Sequence, residues 1–197
     1  KHVYVVIVPG SVEGVREEDA QYEAAVDREA RRWRIHNILI GSIPLLPSCS
    51  GFTLAASRHE VAMIRDRAFS RIYPQTYEPA LPVTHYPNDS LIPARAGTQL
   101  VAALRAESQA LRYVDRWLSS RSGGRRVVTV TLRNYEYGQA RNSNLVAWGV
   151  FARKLDPAVW FPVIVLDTER TLDELPSEVS GLEVFREVAW NLGLRMA

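Results

Sequence analysis

The sequence predicts an α/β protein with a mainly parallel sheet flanked by helices, and three observations lead to that fold class. Short apolar runs rich in β-branched residues alternate with longer segments whose apolar residues recur at helical spacing. Each short run ends in polar or turn-forming residues, as strands buried on both faces of a parallel sheet do. The composition of the 197 residues, 47% hydrophobic and 23% charged, is that of an ordinary globular protein.

The first part of the chain is predicted to contain two strands and two helices. In chain order these are a strand over 2–8, a helix over about 16–40, a strand over 51–57 and a helix over about 58–67. The first helix starts with Glu17, Glu18 and Asp19, whose carboxylates suit the positive end of the helix dipole. The second has Ser57 as N-cap and Glu60 three residues later, which is the spacing of a capping box.

The rest of the chain repeats this alternation after an irregular stretch. Residues 70–96 are rich in proline and tyrosine without a period, which indicates a functional loop or a crossover between units. There follow a predicted helix over about 98–118, a strand over 127–132, a helix ending near 155, a strand over 160–166 and a helix from about 182 to the end. Residues 120–126 make the best linker, so we expect one lobe over 1–119 and a second, incomplete lobe over 127–197.

Charge, hydropathy and cysteine content narrow the class of partners. A net charge of +2 gives no basic footprint for nucleic acid, and no apolar run reaches the roughly 18 residues of a membrane span. Cys49 is the single cysteine, so no internal disulfide can form, which favours the reducing cytoplasm. The chain opens on Lys1 rather than methionine, from which we expect the natural protein to be longer.

The loops at the carboxyl ends of the strands are the places where open parallel sheets bind ligands. In the loop over 133–144, N–H groups at the helix start could receive a phosphate and an arginine could clamp it. The candidate binding residues of this loop are Arg133, Tyr135, Arg141, Asn142, Ser143 and Asn144. The alternative is that residues 142–144 only cap the helix and that the arginines are solvated. Asp167 and Glu169, after the next strand, could bind a ribose or a metal, or form a solvated turn.

Sequence motifs for several other chemistries are missing. Neither glycine-rich nucleotide fingerprint occurs, and there is no nucleophile elbow of the GxSxG type. The four histidines lack the spacing of zinc ligands, so we expect no metal site. No histidine partner can be assigned to Cys49, so the sequence gives no support to a hydrolase with a thiol nucleophile.

One set of segments has the order of a known family. Residues 127–133, 142–148, 151–155 and 163–167 read as a strand, a polar loop leading into a helix with an early tryptophan, and a buried strand. This order resembles the start of the second nucleotide-binding half of GT-B-type glycosyltransferases. The bacterial heptosyltransferase-like enzymes of surface-polysaccharide synthesis are the nearest comparison, and residues 33–52 are similar to the N-terminal half of their relatives.

The resemblance implies Rossmann-like, GT-B-like lobes that transfer a sugar from a nucleotide-sugar donor to a surface-polysaccharide or related acceptor, without a metal or other cofactor. The phosphate-binding lysine usual in that family is missing from the loop, so Arg133 or Arg141 would stand in for it and stabilise the leaving phosphate. A base from the first lobe would deprotonate the acceptor, and Glu13, Glu17 and His59 are candidates by loop position. Peripheral membrane contact is compatible with this function, and the oligomeric state is left open.

The alternative to a transferase is a protein without enzymatic activity. A Rossmann-like binding or assembly domain would use its surface loops to contact another protein. Residues 73–93 would form the contact surface, because tyrosine is favoured at protein interfaces. Stabilisation by nucleoside diphosphates or their sugars is expected of the transferase and not of the assembly domain.

Overall fold

Two compact units make up the chain. The computed structural model describes residues 2–8, 24, 26–68, 71–72, 77–80, 104–135, 138–168, 170 and 173–197. Contacts between Cα atoms assign Lys1–Glu18 and Leu46–Leu104 to unit 1, and Asp19–Leu45 and Arg105–Ala197 to unit 2. Each unit is therefore assembled from two separate stretches of sequence.

Strands and helices alternate through the described residues. In chain order they are β1 (Val3–Ile7), α1 (Arg28–Arg34), β2 (Cys49–Leu54), α2 (Arg58–Ala68), α3 (Ser108–Ser122), β3 (Arg126–Arg133), α4 (Leu145–Lys154), β4 (Trp160–Asp167), β5 (Glu183–Val184) and α5 (Leu192–Met196). No helix among them combines the length and the apolar character needed to cross a bilayer. The expected mixed α/β class, with small parallel sheets and flanking helices, is confirmed.

Unit 1 contains a pair of parallel strands. Strand β1 runs parallel to β2, and Val5 lies opposite Phe52. The hydroxyl groups of Tyr4 and Thr53 are 2.8 Å apart and share a hydrogen bond across the pair. Because a parallel connection needs a long crossover, the two strands of this pair are far apart in the sequence.

Helix α2 starts with the capping box that the sequence predicts. The Glu60 N–H donates to Ser57 Oγ at 3.1 Å, and Glu60 Oε2 accepts from the Ala56 N–H at 2.7 Å. The carboxylate reaches one residue further back than in the usual box, but both bonds satisfy N–H groups near the helix start, which have no acceptor within the helix.

Replacing Ser57 with alanine is expected to weaken α2 by about 1 kcal/mol, because the Glu60 N–H loses its acceptor. Hydrogen exchange measures the effect, as roughly fivefold faster exchange of the α2 amides that open locally. Ser119→Ala is the matched control, since Ser119 is exposed on α3 and alanine favours a helix interior. Unchanged protection in Ser57→Ala would show that the box does not hold the helix.

Unit 2 is built on a parallel sheet of three strands in the order β3-β4-β5. Residues of β3 and β4 pair in register over their whole length, from Arg126 opposite Trp160 to Arg133 opposite Asp167. Both strands therefore end at the same edge of the sheet. That edge is where the carboxyl ends of β3 and β4 place their loops.

Alternate side chains of β4 face two separate cores. The core on the α3 side comprises Val114, Trp117, Phe161, Val163, Val165, Phe185 and Val188. The core on the α4 side comprises Val130, Leu132, Ala152, Ile164, Leu166 and Val179. The period of two along β4 thus puts helices on both faces of the sheet, and unit 2 has three layers.

The helix predicted over about 16–40 is shorter and less regular in the described residues. Asp27 is not helical and caps α1, its Oδ1 accepting from the Ala30 N–H at 2.8 Å. After α1 the chain continues as a π-helix over Ile35–Ile40, and a 3₁₀ turn over Ile43–Leu45 ends this helical region. The predicted first-turn acids at 17–19 lie outside the described residues.

The single helix predicted from about 182 to the end is wrong. Val184 of β5 pairs with Ile164 of β4, and the Phe185 N–H donates to Ile164 O at 2.9 Å. A 3₁₀ turn follows over Arg186–Ala189, and a helix begins only at Leu192. Pairing with the edge of β4 outweighs the helical spacing of the apolar residues, because tertiary contacts override local propensity.

Residues 120–126, predicted as a linker, form a helix-to-strand turn inside unit 2. Helix α3 ends where Gly123 takes a left-handed conformation with φ 59°, which glycine adopts without steric cost. The Arg125 N–H then donates to Ser122 O at 3.1 Å, and β3 begins at the next residue. Because α3 packs on β4, the helix and the strand on either side of this turn belong to the same unit.

Candidate functional site

The carboxyl ends of β3 and β4 bring together several of the predicted binding residues. Arg133 and Asp167 are the last residues of the two strands and lie opposite each other. Just beyond them, the Asn134 N–H donates to Asp167 O at 2.9 Å, which extends the pairing into the loop. The two loops that the sequence singled out, after β3 and after β4, therefore start side by side.

Tyr135 is the centre of this edge. Its side chain is buried, and its Oη donates to Asp167 Oδ1 at 3.0 Å. The Arg133 Cζ lies 4.5 Å from the centroid of the ring, and the Arg34 Cζ lies 5.2 Å from it. Two guanidinium groups therefore make cation–π contacts with one tyrosine ring.

Arg195, on α5, completes the group. Its Nη1 donates to the same Asp167 Oδ1 that Tyr135 binds, also at 3.0 Å, and both side chains are partly buried, at 26% and 30% exposed. Asn191 positions the helix by accepting from the Leu194 N–H at Oδ1. We call the five residues of this group, Arg34, Arg133, Tyr135, Asp167 and Arg195, the arginine cluster. Counting described residues alone, it carries three guanidinium groups and one carboxylate.

The residues after Arg141 shape the loop around the cluster. Asn142 exchanges two hydrogen bonds with the backbone of Tyr135, at 3.0 and 2.7 Å. The hydroxyl of Ser143 accepts from the Arg133 N–H at 3.0 Å, and Asn144 caps α4 by accepting from the Ala147 N–H. All three side chains are thus engaged with the backbone, but only Asn144 caps the helix, and a direct ligand contact by any of them stays a prediction.

Arg141 approaches the cluster at a glycine. Gly138 has φ 69°, and a Cβ built there would lie 3.9 Å from Arg133 Nη2 and 3.9 Å from Arg141 Cδ. Arg141 is exposed and ends a short 3₁₀ turn. Its guanidinium is therefore a fourth positive group within reach of the same edge.

Of the three candidate bases, the described structure includes His59. His59 lies in the first turn of α2, in unit 1, and is exposed. Glu13, Glu17 and Glu169 lie outside the described residues, so their roles stay predictions. Among the residues that the structure does describe, no group of three or more His, Cys, Asp or Glu side chains is placed to hold a metal ion.

Two residues of the cluster are not predicted from the sequence. Arg34 follows other arginines at 31 and 32 in a helix predicted for its apolar spacing, and nothing local distinguishes it. Arg195 lies 28 positions after Asp167, in a segment that helical spacing assigns to one long helix. Many arginines in the sequence could pair with an acid at a strand end, so this pattern could not single out Arg195.

A cleft of about 730 Å³ is present in the same unit. Its walls come from the π-helix and the turn after it, from the first half of α3, and from residues 187–194. The lining is mixed, with Tyr113 and Trp190 among polar groups such as Asn37, Glu107 and Glu187. Its volume lies in the range of about 300–1,000 Å³ that small-molecule sites occupy.

Comparison with known proteins identifies no family for this chain. No family model, no curated protein and no solved structure matches it. The resemblance to GT-B-type transferases thus stays an expectation from the sequence. What the protein binds has to be inferred from the arginine cluster and the cleft themselves.

Proposed function

We propose that unit 2 binds a phosphate-bearing ligand, the diphosphate of a nucleotide-sugar, at the carboxyl ends of β3 and β4. The observation that carries the proposal is the arginine cluster, in which three guanidinium groups gather around one tyrosine and one carboxylate. A guanidinium stays charged at physiological pH and binds two oxygens of a phosphate through parallel hydrogen bonds.

The charge of the cluster favours an anion. A phosphate placed beside Arg34, Arg133 and Arg195 would gain attraction from all three guanidinium groups. Because the side chains are partly buried, salt screens these attractions less than it would at an open surface. The affinity for phosphate should still fall with ionic strength, since the ligand comes from solution.

The cluster is also organised before a ligand arrives. The bond from Tyr135 Oη to Asp167 fixes the ring on which Arg133 and Arg34 rest, and Asn142 holds the backbone of the same tyrosine. Fewer side-chain rotations then have to be frozen on binding. Preorganisation of this kind raises affinity by lowering the entropy cost of binding.

In the fuller form of the proposal the protein is a glycosyltransferase-like enzyme of the cytoplasm. The arginines stabilise the negative charge that develops on the leaving diphosphate. A base, for which the sequence offers Glu13, Glu17 and His59 as candidates, takes the proton of a carbohydrate hydroxyl that attacks the sugar. Release of nucleoside diphosphate from a panel of nucleotide-sugars, measured with added carbohydrate acceptors, tests this step.

An exposed apolar face on α4 favours the second candidate function, a binding or assembly domain. Val146 is 61% exposed, and Trp148, Val150 and Phe151 are also exposed in the described structure. Apolar surface of this kind is typical of a contact with another protein. The loop residues 73–93, proposed earlier for that contact, lie largely outside the described residues, so α4 is the better test surface.

Replacing Arg133 with glutamine is expected to weaken binding of pyrophosphate or a nucleoside diphosphate roughly 10- to 100-fold. The reason is the loss of charge-assisted hydrogen bonds, about 1.5–3 kcal/mol, at a tenfold change for each 1.4 kcal/mol. Isothermal titration calorimetry at two salt concentrations measures it. The variant should also lose part of the salt dependence, because one positive group is gone.

Arg126→Gln is the matched control for this experiment. Arg126 is the first residue of the same strand, at the opposite edge of the sheet, where its guanidinium contacts Trp160 instead. Its removal changes the net charge equally and should leave the affinity for pyrophosphate nearly unchanged. Equal weakening in both variants, or no binding of any phosphate compound by the native protein, would contradict the proposed site.

A further inference from the structure

We propose that the cleft receives a planar aromatic ring that belongs to the same ligand, so that the ligand is a phosphorylated nucleoside or a compound of that shape. The inference rests on the proposed function for the phosphate, which the arginine cluster holds. Three features of the cleft support the ring independently of the phosphate site. They are its aromatic wall, its amide groups and the two segments of chain that it shares with the cluster.

The aromatic wall is part of a group of nearly parallel rings. Phe185 stacks on Trp117 with centroids 4.2 Å apart and planes 10° apart, and on Tyr113 at 6.4 Å and 23°. Trp117 and Phe185 are buried in the core, whereas Tyr113 is 39% exposed and lines the cleft. A flat ring entering the cleft would extend an aromatic group that the core already holds rigid.

Two amide side chains offer hydrogen bonds to the edge of such a ring. Asn37 donates through Nδ2 to Trp33 O at 3.0 Å, and Asn191 accepts through Oδ1 from the Leu194 N–H at 3.1 Å. In the described part of the chain this leaves Asn37 Oδ1 as an acceptor and Asn191 Nδ2 as a donor. A heteroaromatic ring with donors and acceptors on its edge fits this pair better than a plain hydrocarbon does.

The cleft and the arginine cluster share two structural elements. Residues 192–194 of α5 line the cleft, and the next residue, Arg195, holds Asp167. On the other wall Arg34 contacts Tyr135, and His36, two residues later, lines the cleft. The two sites therefore adjoin along both segments of chain, and we infer that one ligand occupies both.

Gly41 gives a way to fill the cleft without removing a contact. It lines the cleft in a helical conformation, and a Cβ built there would meet His36 O at an ordinary 3.7 Å and no other atom of the described residues. The backbone therefore has room for a Cβ at this position, and Gly41→Leu should project the rest of its side chain into the cleft. Gly41→Ala is the matched control, because it makes the same backbone change with much less volume.

The experiment measures the affinity of three kinds of probe by calorimetry: pyrophosphate, the four ribonucleosides and their diphosphates. We expect at least one nucleoside diphosphate to bind about tenfold or more tightly than pyrophosphate, as base stacking on an aromatic side chain implies. Gly41→Leu should remove that gain and leave pyrophosphate binding unchanged. Gly41→Ala should retain most of it, and thermal unfolding confirms that both variants fold.

The outcomes separate this inference from the proposed function. If pyrophosphate binds and no nucleoside diphosphate exceeds it, or if Gly41→Leu keeps the full gain, the cleft inference is overturned and the phosphate site stands. If a nucleoside binds and Gly41→Leu removes it while pyrophosphate fails to bind, the cleft inference stands and the proposed phosphate site fails. If no probe binds, both are overturned.

Discussion

Replacing Ile164 with alanine is expected to destabilise unit 2 by about 3 kcal/mol. Ile164 is 0% exposed on the central strand β4, where it packs in the core on the α4 side and pairs with both neighbouring strands. The change removes buried methyl and methylene groups and leaves a cavity that a close-packed sheet cannot fill by relaxing. Urea unfolding followed by tryptophan fluorescence measures it, since all five tryptophans belong to unit 2.

Val127→Ala is the control for the core substitution. Val127 is a β-branched residue of the adjacent strand β3, but it is 38% exposed, so its truncation should cost less than about 1 kcal/mol. A loss for Ile164→Ala no greater than that for Val127→Ala would mean that β4 does not form the centre of the unit.

Replacing Gly149 with alanine is the second large effect we expect, a loss of about 2 kcal/mol. Gly149 is buried in α4, and a Cβ built on it would overlap the carbonyl oxygen of Glu178 and press on Arg153 Nη1. The arginine can move, but the carbonyl is backbone, so α4 would have to shift away from the turn over Ser177–Val179. Such overpacking typically costs about 1–3 kcal/mol, more than the helix propensity of alanine returns.

The matched control for Gly149 is the same change at Gly41. Both glycines are helical, but a Cβ at Gly41 has room, so Gly41→Ala should stabilise the protein by up to about 1 kcal/mol. Urea unfolding of the two variants under identical conditions should therefore show shifts of opposite sign. Shifts of the same sign would contradict the close approach of α4 to Glu178.

The parts of the fold that the sequence predicts well are those in which local pattern and tertiary structure agree. Strand β4 is a continuous apolar run because it is buried on both faces, and Asn144 caps α4 where the polar loop ends. Strand β5 could not be found in this way. It has two residues, and Val184 becomes part of a strand only through its pairing with Ile164, about 20 positions earlier.

The residues of the arginine cluster also differ in how well the sequence predicts them. Arg133, Tyr135 and Asp167 could be predicted because parallel strands end at a common edge, and a polar residue just after an apolar run marks that edge. Arg34 and Arg195 could not, because each reaches the cluster from a helix that only tertiary packing brings there. The cleft was missed for the same reason, since its walls come from three separate segments.

The discontinuity of unit 2 has a consequence for how the protein folds during synthesis. Among the elements of unit 2, helix α1 leaves the ribosome first, and Leu46–Leu104, which belongs to unit 1, follows before any of the sheet of unit 2 exists. At a synthesis rate of about 5–20 residues per second, several seconds pass before the strands of unit 2 have been made. Arg34 can reach Tyr135 only after β3 and its loop have emerged, and the cleft can form only after residues 187–194 have emerged. The proposed binding site is therefore completed last, and we expect a chain truncated before residue 187 not to bind the proposed ligand.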